Sequence, residues 1–242
     1  MQVFRPFFSA LKKILKKWLT NLKSQVAYQP DSMNNKKHIK QPETTRRKLI
    51  EATTALMLRQ GFNATTVDEI CAEAAVTKGS FFHHFENKDD IGQAVVKAWG
   101  EFGQSLYSEA WKTPGEPLEE IHRLFDIMEG ITRRAEPCVC LVGMLTQEMS
   151  GEHPGFRAAC AHELETWTEM FRSRLEAAKQ QLKPAADFDP AEVAWFLNSL
   201  WQGSALIGKA RQSTEMIRNN LKLGRAYVDS LFVNPNGPVS KS

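Results

Sequence analysis

Between Thr65 and Phe85 the sequence reads TTVDEICAEAAVTKGSFFHHF. Its side chains suit contact with a nucleic acid from one short helix. Thr66, Thr77 and Ser80 carry hydroxyls, Lys78 and Lys88 carry cations, and His83 carries an imidazole. Such groups reach phosphate oxygens and base edges from a major groove. Gly79 lets backbone come close to a duplex, and Phe82 offers an apolar surface to a thymine methyl. Two elements must hold these groups in place. Thr66 and Glu69 have the spacing of a capping box, which satisfies two backbone donors at a helix start. Val67, Ile70, Cys71 and Ala74 then follow at helical steps and give that helix an apolar face. Ala75-Val76 reads as a turn, Thr77 as the next N-cap, and Lys78–Phe85 as a second helix. The pair has the pattern of a helix-turn-helix. Ordinary helix packing produces such a pair too, so the flanking sequence has to decide.

A longer helix is expected before it, over Thr45–Gln60, stopped by Gly61. Lys88 stands after it at the start of another, Asp89–Trp111, where helix-end amides and the lysine together suit a phosphate. Across Arg46–Lys88 the chain resembles the DNA-binding domain of the TetR family of transcriptional regulators. The resemblance rests on Ile50, Ala52, Leu56, Gly61, Phe62, Thr65, Thr66, Ile70, Ala74, Val76, Gly79, Phe81, His84, Phe85 and Lys88. It implies an all-α fold of about nine helices, with a three-helix DNA-binding head and a helical body. It also implies a homodimer on a near-palindromic double-stranded DNA operator, and a small organic effector held in the body. Two residues depart from the family pattern. Ala75 stands where the family places a turn glycine, at a cost of about 1 kcal/mol if the residue is left-handed. Phe82 stands where the family places tyrosine and lacks its hydroxyl.

Pro114, Gly115 and Pro117 break the chain after the long helix. Helices are expected over Leu118–Arg134, Leu141–Ser150, Gly155–Leu182, Ala191–Ala210 and Thr214–Phe232. They carry large, adaptable apolar side chains, of which Phe125, Met128, Met144, Trp167, Phe171 and Trp201 are the effector-pocket candidates. Core packing is the competing role for each. Gly203, Ser204, Ala205 and Gly208 would admit a close helix neighbour, either the last helix of the same chain or a second copy. Cys140-Leu141-Val142-Gly143-Met144-Leu145, followed by Glu148, resembles a TetR branch that includes the NemR-like regulators, which respond to electrophiles and oxidants. By that resemblance Cys140 is the sensor candidate. A helix N-terminus at this position would favour thiolate, and Arg133 and Arg134 would add to it. A small buried hydrophobe is the other reading of Cys140. Cys71 reads as structural.

The chain has 242 residues with a net charge of +3. Nine of its Lys and Arg residues fall in residues 1–40, so the remainder is mildly acidic and the motif, not global charge, argues for DNA. No apolar run reaches the length of a membrane span. Four cysteines without metal spacing fit a reduced cytoplasmic protein. Phosphate loops, nucleophile elbows and zincin helices are missing, so no enzyme activity, metal or cofactor is expected. His83 and His84 share no helix face, and His122 and His153 read as solvated.

Residues 1–42 form a basic amphipathic arm and linker. Phe4, Phe8, Leu11, Leu15, Trp18 and Leu22 alternate with lysines, a pattern suited to an anionic membrane surface, a partner or DNA phosphates. A start at Met33 would leave most of the arm out of the native protein. Residues 43–88 form the DNA-binding domain, 89–233 the ligand-binding and dimerisation domain, and 234–242 a disordered tail. The function expected is a repressor released by an effector or by a thiol-modifying electrophile. The alternatives are an activator, and a membrane-surface or partner-binding protein that uses residues 1–29.

Overall fold

A computed structural model describes residues 42–134, 140–184 and 187–232, and all the regular structure among them is helical. The arm, Cys138 and the tail lie outside them. Nine α-helices are found among the described residues, with no strand. They are α1 (Pro42–Gln60), α2 (Val67–Ala74), α3 (Lys78–Phe82), α4 (Lys88–Tyr107), α5 (Pro117–Arg134), α6 (Leu141–Met149), α7 (Pro154–Leu182), α8 (Pro190–Arg211) and α9 (Glu215–Phe232). A 3-10 turn, Ser108–Trp111, continues α4. The α-helix expected to reach Trp111 therefore tightens four residues earlier. The second helix of the motif is also shorter than expected, because the chain turns after Phe82 instead of continuing to Phe85.

The chain divides into two compact units. The first reaches Phe102 and adds Met144–Ala159; the second holds Gly103–Gly143 and resumes at Cys160. Position 88 is thus not an edge of the first unit, and packing explains why. Phe62, just after α1, sets its ring 4.7 Å from Phe156 at the start of α7. Lys88 lies over the same Phe62 ring at 4.3 Å.

In the first unit α1, α2 and α3 close around Leu49, Leu56, Ile70, Phe81, Phe85 and Ile91, all nearly fully buried. Each such side chain stabilises the head by about 1.5–3 kcal/mol relative to exposure. The helix ends follow the local sequence. Gly61 ends α1 at φ 86°, a conformation that glycine adopts without a Cβ penalty. Thr66 caps α2 and makes the full capping box with Glu69. Ala75 follows α2 in the left-handed region, φ 53° and ψ 49°, so the cost anticipated there is present.

The second unit packs α5, α7, α8 and α9 around Leu124, Phe125, Phe171, Leu197, Trp201 and Leu221. Asp189 caps α8, and Pro190 opens it at a position where a missing N–H costs nothing. The two histidines read as solvated are instead partnered. His122 Nε2 meets Asp229 at 2.5 Å, and His153 Nδ1 meets Asp89 at 3.2 Å, both partly buried. Each acid comes from a distant helix, which sequence spacing does not reveal.

Candidate functional site

Helix α3 has only five residues, and its start is built by Thr77. The Thr77 hydroxyl accepts from Ser80 N at 3.2 Å and lies 3.1 Å from Ser80 Oγ. Phe81 plugs α3 into the core at 0% exposure. That anchorage turns Lys78, Gly79, Phe82 and His83 outward, and all four are exposed. Phe82 is 55% exposed, a large apolar side chain with no intramolecular pocket to fill. Ser80 is half-buried and bound to the cap. Gly79 has nothing beside the Thr77 hydroxyl within 4 Å of an added Cβ, so the backbone there is open to approach. Lys78 holds Asp68 of α2 at 2.7 Å in an exposed pair, and the carboxylate pushes its pKa up. It stays a cation at any physiological pH, with one carboxylate competing for it.

Thr66 is exposed, but its hydroxyl already accepts from Glu69 N and donates to the Glu69 carboxylate. A phosphate would have to replace that second bond. Lys88 departs further from the sequence expectation. Its ammonium donates to Phe62 O at 3.2 Å and reaches Asn63 O at 3.5 Å, so it points into the first unit. On the other side of the same corner, Glu148 accepts from Phe62 N at 3.0 Å and Asn63 N at 2.7 Å. A Cβ at Gly61 would meet the Glu148 carboxylate at 3.0 Å. The peptides after α1 are therefore gripped from both faces, by a cation on their carbonyls and an anion on their amides.

Five of the six effector-pocket candidates belong to the second unit. Phe125, Met128, Phe171 and Trp201 are buried in its core, and Trp167 packs on that core with its ring 4.7 Å from Phe171. Met144 is half-buried and belongs to the first unit. Sequence reasoning missed the polar groups set into this apolar core. Asn198 is 3% exposed, and its Nδ2 donates to Thr168 Oγ1 at 2.8 Å and Leu164 O at 3.1 Å. Gln202 Nε2 donates to Asn198 Oδ1 at 3.4 Å and to Cys140 Sγ at 3.5 Å. The available signal was two amides four residues apart on an otherwise apolar helix face.

Cys140 stands just before α6, as expected. Of the two readings of its thiol, the ionisation follows the buried one. Burial pushes the thiol up, and this outweighs hydrogen bonds from Gly143 N, Gln202 and Val142 N that favour the thiolate. Part of the residue's surface nevertheless stays accessible. Arg133 is occupied by Glu129 at 2.6 Å and adds nothing to the site. Gln202 crosses so close to α6 that a Cβ on Gly143 would lie 2.4 Å from its Oε1. Cys71 is buried in the head core.

Two family profiles match this chain. One, bacterial regulatory proteins of the tetR family, covers residues 49–95; the other, a tetracyclin repressor-like C-terminal domain, covers 117–222. The transcriptional regulator AcuR of Cereibacter sphaeroides is 36% identical over 184 residues, spanning 74% of this chain and 84% of the relative. The HTH-type transcriptional repressor NemR of Escherichia coli is 24% identical over 193 residues, spanning 79% and 95%. Among solved structures, regulatory protein TetR from Rhodobacter sphaeroides superposes with a TM-score of 0.65 at 31% identity, over 78% of this chain and 99% of that one. The head with its outward α3, the all-helical body and these matches agree, and the chain belongs to the TetR family as a DNA-binding regulator of transcription.

Proposed function

We propose that the protein is a homodimeric repressor that reads a near-palindromic operator through α3 and lets go when a small organic effector occupies the second unit. The observation that carries the DNA reading is the outward set Lys78, Gly79, Phe82 and His83 on a helix anchored by Phe81. Lys78 supplies phosphate affinity, Phe82 and His83 reach base edges, and Thr77 and Ser80 hold the helix start. Thr66 is a secondary contact, and Lys88 acts by holding the corner that positions the head. A repressor function is supported by the relatives named as repressors, and a cytoplasmic location by the need to reach genomic DNA. No described helix is long and apolar enough to cross a membrane.

The dimer face we assign is the outer side of α8 and α9. Trp195, Phe196, Leu206 and Ile207 of α8 and Leu223 and Tyr227 of α9 are large, apolar and exposed, with Phe196 and Tyr227 rings 5.2 Å apart. A patch of this kind marks an interaction site. Of the two neighbours expected for the small residues, the last helix of the same chain is the one that three of them meet. Ser204, Ala205 and Gly208 are buried within the chain. Asn220 donates to Ser204 Oγ, and Ile217 lies 3.0 Å from where a Gly208 Cβ would stand, so they admit α9. Gly203 has nothing near it and belongs to the outer face.

Footprinting of the full chain on its own upstream intergenic DNA, over a salt series, tests the reading. Two protected half-sites about one helical turn or more apart are expected. A single half-site, or protection indifferent to sequence, would overturn it.

A second reading concerns Cys140, because three donors already converge on its sulfur. Addition to the double bond of N-ethylmaleimide would form an S–C bond and pass the thiol proton to the neighbouring carbon. It would also displace Gln202 from the sulfur. Loss of the footprint in the native chain, but not in Cys140→Ser, would support a thiol switch. Equal loss in both would exclude one at this residue.

A further inference from the structure

The second unit keeps a buried donor with nothing to bond. Trp167 Nε1 is buried and has no hydrogen-bond partner. Native interiors rarely leave an N–H in that state, and an orphaned donor at a binding surface points to an acceptor that arrives from outside. Leu164, Trp167, Thr168 and Phe171 fall at three- and four-residue steps on α7, so they share one face. The polar groups beside Trp167 on this face are already satisfied. Thr168 Oγ1 and Leu164 O both accept from Asn198. The indole itself lies against Phe171 at 4.7 Å and Tyr107 at 6.4 Å between ring centres.

Charge narrows the partner further. Among the described residues, Arg172 is paired with Glu169 and Glu176, Arg174 with Glu120 at 2.7 Å, and Arg225 with Asp126 at 2.7 Å. An anionic ligand that took its counter-charge from Arg172, Arg174 or Arg225 would have to break that residue's pair. A cation would meet the positive end of an N–H dipole. A neutral oxygen needs neither, and burying it against the indole satisfies both groups at once.

We propose that Trp167 Nε1 donates to a neutral acceptor, a carbonyl or ether oxygen, on an effector whose remainder is apolar and packs on Phe171 and Tyr107. This rests on the reading that the second unit holds an effector. The class is tested by calorimetric titration of the full chain with four probes of similar size: acetophenone, ethylbenzene, benzoate and benzylamine. Acetophenone is expected to bind most tightly. In Trp167→Phe its affinity should fall about three- to tenfold, the worth of one neutral hydrogen bond, with ethylbenzene unchanged. Tighter binding of benzoate or benzylamine in the native chain would overturn the class while leaving an effector site. Ethylbenzene weakened as much as acetophenone in the variant would reduce Trp167 to packing and overturn the proposal. No binding of any probe would overturn it together with the effector reading. The probe ranking needs only the native chain, so it decides even if the variant folds poorly.

Discussion

At Ala75 a non-glycine residue is left-handed, φ 53°, at the turn of the DNA-binding motif. Ala75→Gly should therefore stabilise the protein by about 1 kcal/mol, less the entropy glycine adds to the unfolded chain. Urea denaturation followed by circular dichroism measures the gain, and a loss of stability would contradict the assigned geometry. Beside it, Lys78 divides its charge between Asp68 and any phosphate. The pair is exposed and contributes little to stability. Lys78→Ala should weaken operator binding and lower the salt dependence by about one counterion. Asp68→Asn should do the reverse, freeing the cation and tightening binding. Equal affinity in both variants would remove Lys78 from the interface. The Cys140 thiol gives a separate test of charge. Its raised pKa means that thiolate becomes abundant only above the pH at which a free cysteine ionises. Iodoacetamide labelling of Cys140 near pH 7.5, followed by peptide mass spectrometry, should be slower in the folded than in the urea-unfolded chain. Faster labelling of the folded chain would show that the three donors to sulfur prevail over burial.

At the scale of elements, the corner after α1 is held from two sides within the first unit. Glu148 on α6 holds its amides, Lys88 at the start of α4 holds its carbonyls, and Phe62 packs between Lys88 and Phe156. Lys88→Ala removes a cation over a ring and a hydrogen bond, together about 1–2 kcal/mol. It should lower the melting temperature, while operator affinity well below that temperature stays near native. Selective loss of affinity in a fully folded variant would return Lys88 to the phosphates. Much of this architecture could be read from the sequence. The capping box at Thr66 and Glu69, the cap at Thr77 and the stop at Gly61 are local signals, and local signals fix helix ends. The end of α3 escaped because it depends on how Phe81 and Phe85 meet the core, not on any breaker residue. Glu148, Asn198 and Gln202 escaped as site residues for a related reason. Their partners lie 86, 30 and 62 residues away, and no spacing rule spans such distances. The helix start before which Cys140 stands was legible, but the choice between a reactive thiolate and a buried thiol was left open, since a helix start can be seen in sequence and desolvation cannot.

For the whole molecule, one head offers a five-residue helix that carries one cation, Lys78, too little for tight, sequence-specific binding by itself. The net charge of +3 adds little long-range attraction, because the positive excess lies in residues 1–40 and the remainder is mildly acidic. Specificity must come from joining two heads, which makes the second half-site contact effectively intramolecular and raises affinity on the order of 10²–10⁴-fold. In the proposed dimer the exposed apolar side chains of α8 and α9 join them. Leu223, 67% exposed, and Ile207 sit on that surface without supporting their own chain's core. Ile207→Glu combined with Leu223→Glu should leave the helical content intact. It should halve the mass seen by sedimentation equilibrium and weaken operator binding by two or more orders of magnitude. Like charges would face one another across a two-fold interface, adding repulsion to the lost apolar contact. A variant that remains dimeric would place the interface elsewhere. A monomer that still binds the full operator tightly would show that one head suffices.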